Sequence, residues 1–123
     1  MPAIARLSLA ALDCEDPFAL SRFYSALTGW PVEEDDDNDE WVQLRSDGPV
    51  TLAFQRIEDY EPPVWPGSDA PQQLHLDFDV PDLDAGEQQV LALGAQKADY
   101  QPGETFRVFL DPAGHPFCLV LAG

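Results

Sequence analysis

A chain of 123 residues has the length of one ordinary domain, and 45% apolar residues, including seven Phe, are enough to build a hydrophobic core. Six Lys+Arg against 23 Asp+Glu leave a formal charge of −17. That balance excludes nucleic acid and anionic membrane as partners, because phosphates must be neutralised by cations. No apolar run approaches the roughly 18 residues of a membrane helix, and no basic-then-apolar leader precedes the first acidic residues. Cys14 and Cys118 are too few for a disulfide scaffold and have no CxxC spacing. A cytoplasmic protein with reduced thiols is expected.

In chain order, Ile4–Leu12 reads as an apolar strand. Asp16 is an N-cap with Pro17 at the first helical position. Leu20, Phe23, Tyr24 and Leu27 recur at helical spacing, and Gly29 stops the helix. Trp30–Val32 is a short extended piece. The acidic run Glu33–Glu40 repels itself and favours a solvated loop; it lacks the glycine and glutamate spacing of an EF-hand. Trp41–Arg45 and Val50–Ile57 read as strands joined by the Asp47-Gly48-Pro49 turn. Asp59–Pro71 holds four prolines, each lacking a ladder donor, so it reads as a stiff connector. Beyond it come a strand over Gln72–Val80 and a helix from the Asp82 cap to about Leu93. Shorter strands follow at Ala98–Asp99, Thr105–Leu110 and His115–Leu121.

Each half therefore reads as strand, helix and three strands, and a shift of 66 residues superposes the helix starts Asp16 and Asp82. One helix cannot cover both faces of a sheet. Two βαβββ modules in tandem are expected to carry their helices outside and leave the other sheet faces to a shared concave cleft. The expectation is an α+β fold in one domain over residues 1–123: module 1 at about 1–58, connector 59–71, module 2 at about 72–123.

DPFALSRFYSALTGW, QLHLDFDVPDLDA and DPAGHPFCLV resemble the glyoxalase, bleomycin-resistance and ring-cleaving dioxygenase superfamily, the vicinal oxygen chelate fold, and above all its small actinobacterial glyoxalase-like proteins. The resemblance covers nearly the whole chain. It implies a fold that hosts many chemistries and is often dimeric, so a homodimer is expected. It also implies four metal-ligand positions, two per module, which fall here on Leu9, Gln55, His75 and Cys118. Leu9 cannot coordinate, and Cys118 stands where the family pattern places a carboxylate. No metal or other cofactor is therefore expected; if a divalent ion binds, the resemblance implies Gln55, His75 and Cys118, with the thiolate favouring zinc.

Strand alternation sorts the same positions independently. Leu74, Leu76, Phe78 and Val80 share an apolar face, while Gln73, His75, Asp77 and Asp79 share the other. Cys118 opposes Phe117 and Leu119, and Trp41 opposes Val42. Convergent faces would line a ligand site with Leu9, Trp41, Gln55, His75, Asp77 and Cys118. Trp65, between two prolines of the connector, is either a lid over that site or a plug. His75 can act as a general acid or base, with Asp77 about 7 Å further along the strand and in indirect contact only. A hydrogen-bonded structural histidine satisfies the same pattern. Cys118 as nucleophile would require a lowered pKa; otherwise it is a buried, inert thiol. His115, in a Gly-His-Pro turn, reads as structural. The function expected is binding of a small molecule, with acidity favouring a cationic one, without the full set of four metal ligands. The alternative is a lyase or isomerase using His75 as acid/base.

Overall fold

The computed structural model describes residues 7–33, 39–63 and 75–122. The chain divides into two compact units, Met1–Tyr60 and Glu61–Gly123. In the first, β1 (Leu9–Cys14) is followed by α1 (Pro17–Thr28), β2 (Val32–Glu33), β3 (Trp41–Leu44) and β4 (Thr51–Arg56). The second repeats that order with β5 (Leu76–Val80), α2 (Leu83–Ala92), β6 (Gln96–Lys97), β7 (Phe106–Leu110) and β8 (Pro116–Leu121). The strand orders are β1-β4-β3-β2 and β5-β8-β7-β6. In both sheets the first strand runs parallel to the last and the other pairings are antiparallel. The fold is α+β, two βαβββ modules in tandem.

The two helices begin by the same device. The Asp16 carboxylate accepts from the Phe18 and Ala19 amides at 3.1 and 3.2 Å. Asp82 accepts from Asp84 and Ala85 at 2.8 and 3.2 Å. Each carboxylate satisfies amides that the first helical turn leaves without partners. At the far end of α1, Gly29 adopts φ +79° and donates to the Ser25 carbonyl, a left-handed stop that a side chain would strain.

Each helix covers one face of its own sheet. Under α1 lie Leu12, Val42, Leu44, Leu52 and Phe54, with Tyr24 stacked on Phe54 at 5.6 Å between ring centroids. Under α2, Phe117 stacks on Phe109 at 5.7 Å and meets Phe78 edge-on at 6.0 Å. A Cβ on Gly86 would meet Leu119 at 3.1 Å, so α2 approaches β8 closely at that point.

Most strand bounds differ from the sequence reading by a residue or two. β2 falls at Val32–Glu33 rather than Trp30–Val32, and β5 begins at Leu76, after His75. Two further differences have a visible cause. β1 continues to Cys14 because its parallel pairing with β4 runs on to Cys14↔Arg56, with the Ile57 amide donating to the Cys14 carbonyl; residues 4–6 lie outside the described residues. The short edge strand falls at Gln96–Lys97 rather than Ala98–Asp99. Beyond Ala98, the Gln101 side-chain amide takes over the ladder. It donates to the Ala98 and Val108 carbonyls at 2.8 Å each and accepts from the Val108 amide at 2.9 Å. Little of Val108 remains for Asp99 to pair with. Residues 34–38 of the acidic run, and Trp65, Pro66, Pro71 and Leu74, lie outside the described residues.

Candidate functional site

The faces turned away from the helices carry the expected site residues. In the first unit, Leu9, Ala11 and Asp13 of β1 pair with Thr51, Ala53 and Gln55 of β4, and Gln55 pairs in turn with Trp41. Leu9, Trp41 and Gln55 therefore share one face. The Trp41 indole N–H donates to Gln43 Oε1 at 3.1 Å. Asp13, beside Gln55 in register, was not singled out from the sequence. Its parity with Leu9 and Ala11 was the available signal.

In the second unit, Asp77 pairs with Cys118 and Asp79 with Val120. Val108 and Phe106 of β7 pair with the same two β8 residues, and so share their face. Ala98, Val108 and Cys118 form a buried cluster with Phe106 and Val120 packed against it. At one margin of that cluster, His75 Nε2 lies 3.3 Å from Asp77 Oδ1, with the two side chains 46% and 57% exposed. One ligand atom from each of His75, Asp77 and Cys118 lies within 4.8 Å of the other two. The expected 7 Å separation of His75 and Asp77 is corrected to direct contact. His75 precedes the first residue of β5, so the strand pleat does not hold its side chain parallel to that of Asp77.

Cys118 is 8% exposed. Burial raises its thiol pKa first, and the neighbouring Asp77 carboxylate, through charge and a hydrogen bond, raises it further, to about 11. The lowered pKa a nucleophile would need is not found; the shift runs the other way, and at neutral pH the group is a thiol. Cys14 is also a buried thiol outside any disulfide, at hydrogen-bond distance (3.6 Å) from the Gln55 carbonyl. His115 belongs to a turn whose Asp111 carboxylate accepts from the Ala113 and His115 amides at 2.8 and 3.0 Å.

The second unit's described Lys and Arg residues are both engaged on the helix side. Lys97 pairs with Glu87 at 3.0 Å, and Arg107 with Asp84 at 2.9 Å and Glu87 at 3.2 Å. The face bearing Asp77 and Asp79 thus carries no Lys or Arg among the described residues. It is suited to hydrogen-bond donors and cations.

The four-donor metal set implied by resemblance does not fit these residues. Leu9 has no donor. The pairing Ala11↔Ala53 in the first unit is repeated by Asp77↔Cys118 in the second, so the internal equivalent of Cys118 is Ala53, also without a donor. Gln55 lies two residues further on, equivalent to Val120. The second unit taken alone offers imidazole, carboxylate and thiol, a set that fits a thiophilic ion.

Residues 10–120 match the glyoxalase-like domain family, and the chain belongs to that family, within the glyoxalase, bleomycin-resistance and dioxygenase superfamily of the vicinal oxygen chelate fold. Similar solved structures include a glyoxalase/bleomycin resistance protein/dioxygenase family enzyme from Burkholderia phytofirmans, 21% identical over 95% of this chain and 98% of that one, with a TM-score of 0.70. A fosfomycin resistance protein from Mesorhizobium loti is 18% identical over 98% and 94% of the two chains, with a TM-score of 0.70. A glyoxalase-related enzyme from Fulvimarina pelagi is 19% identical over 97% and 89%, with a TM-score of 0.69. At these identities the likeness establishes fold alone. No curated protein matches the sequence.

Proposed function

We propose that this glyoxalase-like chain binds a small molecule on the helix-free face of its second sheet, without the four-donor metal set of its superfamily. One observation carries the reading: His75, Asp77 and Cys118 converge within 4.8 Å at the margin of the apolar Ala98, Val108 and Cys118 cluster. An exposed imidazole–carboxylate contact such as His75–Asp77 adds little to stability, about 0–1 kcal/mol. Its presence beside an apolar surface therefore calls for a role other than holding the fold. Phe106, Val108 and Val120 would contact the ligand's apolar body, and Asp77 with Asp79 would favour a cationic or donor-bearing head. The binding itself requires no cofactor. With neither cysteine in a disulfide, the same reading takes the protein as a cytoplasmic homodimer.

The experiment is a thermal-shift screen of small amines, neutral polar compounds and carboxylates against the full-length protein, with and without divalent metals. A ligand at about 100 times its Kd stabilises the folded state by roughly 2.7 kcal/mol, enough to move the melting temperature measurably. Amines with apolar bodies should raise it and carboxylates should not. A shift confined to carboxylates would reverse the assignment of charge.

A second reading rests on the 3.3 Å contact of His75 Nε2 with Asp77. A carboxylate that accepts from Nε2–H orients the ring and leaves Nδ1 as the basic nitrogen. That is the arrangement of a general base in a lyase or isomerase. Cys118, as a neutral thiol, would donate a hydrogen bond in such a site rather than attack.

A further inference from the structure

The geometry points to Asp47-Gly48, in the exposed turn between β3 and β4, as a site of self-modification. The chain closes there to a succinimide and reopens as an isoaspartyl link, which releases the Trp30 indole from Asp47. None of these residues lies on the helix-free face of the second sheet. The dipeptide is the chain's one Asp-Gly. A side chain on the attacking residue hinders closure of a backbone nitrogen on the preceding carboxyl, and glycine has none. A Cβ at Gly48 would meet nothing within 4 Å, and its φ is outside the left-handed region. Two contacts address the reacting groups. Trp30 Nε1–H donates to Asp47 Oδ1 at 3.1 Å. The Ser46 hydroxyl accepts from the Gly48 N–H at 3.4 Å and donates to the Gly48 carbonyl at 2.9 Å.

The step balances with water as the one co-reactant. The Gly48 nitrogen forms a bond to Cγ of the Asp47 carboxylic acid. Oδ1, which faces the indole N–H, carries the developing negative charge beside a donor already in place. The other oxygen leaves as water with the carboxyl proton and the amide proton, for which the Ser46 hydroxyl is the adjacent acceptor. Hydrolysis of the imide at the Asp47 main-chain carbonyl restores the mass but routes the chain through Cγ. The backbone thereby gains one methylene, and the free carboxylate sits directly on Cα, one bond closer to the main chain. Trp30 cannot follow that retreat. Its carbonyl accepts from Ser25 Oγ at 2.7 Å and its amide donates to Thr28 Oγ1 at 3.1 Å. The change stays within the turn, because the strand ends are fastened separately. Thr51 Oγ1 donates to the Leu44 carbonyl at 2.7 Å, and the Arg45 amide to the Pro31 carbonyl at 2.8 Å.

The test is prolonged incubation of the full-length protein at physiological temperature in oxygen-18 water, followed by tryptic mapping in ordinary water. Cleavage after Arg45 and Arg56 isolates residues 46–56, in which Asp47 is the one Asp or Asn. That peptide should gain one oxygen-18 atom and show isoaspartyl backbone fragments under electron-transfer dissociation. It should do so sooner than any other Asp-bearing peptide of the chain, and at least as fast as a synthetic peptide of residues 46–56 incubated alone. Gly48→Ala should slow the labelling severalfold with circular dichroism unchanged, and Trp30→Phe, which keeps the ring but loses the donor, should slow it as well. Should Trp30→Phe fail to fold, Ser46→Ala removes the proton acceptor and should slow it instead. In the aged protein one of the three Trp indole N–H resonances should move in proportion to the isoaspartyl fraction. The proposal is overturned by slower labelling in the folded protein than in the free peptide, or by an unchanged rate in any of these variants that folds. It is equally overturned by isoaspartate formation that leaves all three indole resonances in place.

Discussion

Asp77 and Cys118 stand side by side across the parallel β5–β8 pairing, and the carboxylate helps to keep its neighbour a thiol. Neither residue signals this alone. The parallel register brings them together, and burial on the cluster side makes the thiolate form unfavourable.

Replacing Asp77 with Asn should therefore make Cys118 more reactive. Burial, the larger cause, remains, so the thiol pKa should fall only part of the way from about 11 toward the ordinary 9.0. Iodoacetamide labelling at pH 8–9, assigned to Cys118 by mass spectrometry, should be several-fold faster in Asp77→Asn, with the pH–rate curve moved to lower pH. Equal rates would show that Asp77 does not act on the thiol. The sign for stability follows from the same shift. A thiol whose folded pKa is raised adds stability that is fully present below pH 9.0 and is lost as pH rises through about 11. The fall in urea midpoint over that window should be smaller in Cys118→Ala.

His75→Ala should separate function from fold. The imidazole is half exposed and contacts an exposed carboxylate, so its removal should destabilise by less than about 1 kcal/mol. Ligand-induced thermal shift, or turnover on any substrate found, should weaken or disappear. A loss of several kcal/mol with ligand binding intact would make His75 a structural hydrogen-bonding residue and remove it from the site.

Gln101→Ala should be more damaging than a loop substitution ordinarily is. Its amide makes three hydrogen bonds to the backbone of Ala98 and Val108. Truncation removes that partner from the Ala98 carbonyl and the Val108 amide, while the Val108 carbonyl keeps the Ala98 amide, at a cost of roughly 1–3 kcal/mol. Hydrogen exchange at the Val108 amide should accelerate well before that of Phe109, which stays paired with Lys97 and Phe117.

The repeated helix caps give a test of the duplication. Asp16→Ala and Asp82→Ala remove equivalent pairs of hydrogen bonds. Each should lower stability by about 0.5–2 kcal/mol in urea unfolding, and by similar amounts. A large effect at one cap and none at the other would mean that the two helices depend on different interactions.

The α+β architecture was legible in the sequence because its signals are local. An Asp cap needs only the next three residues, helical periodicity needs a dozen, and the 66-residue offset between Asp16 and Asp82 needs only counting. Alternation also sorted His75, Asp77 and Asp79 from Leu76, Phe78 and Val80, since the two faces of a strand are written in residue parity. What tertiary structure decided was register and side-chain reach. The pairing of β1 with β4 makes Ala53 the counterpart of Cys118, although motif alignment points to Gln55 two residues away. A two-residue slip preserves parity, so no alternation pattern can detect it. His75 meets Asp77 because it lies just outside the strand, where pleat spacing no longer sets the distance. Gln101 replaces a strand because a side-chain amide presents the same donor and acceptor as a backbone peptide, and only the folded chain shows where that amide is aimed.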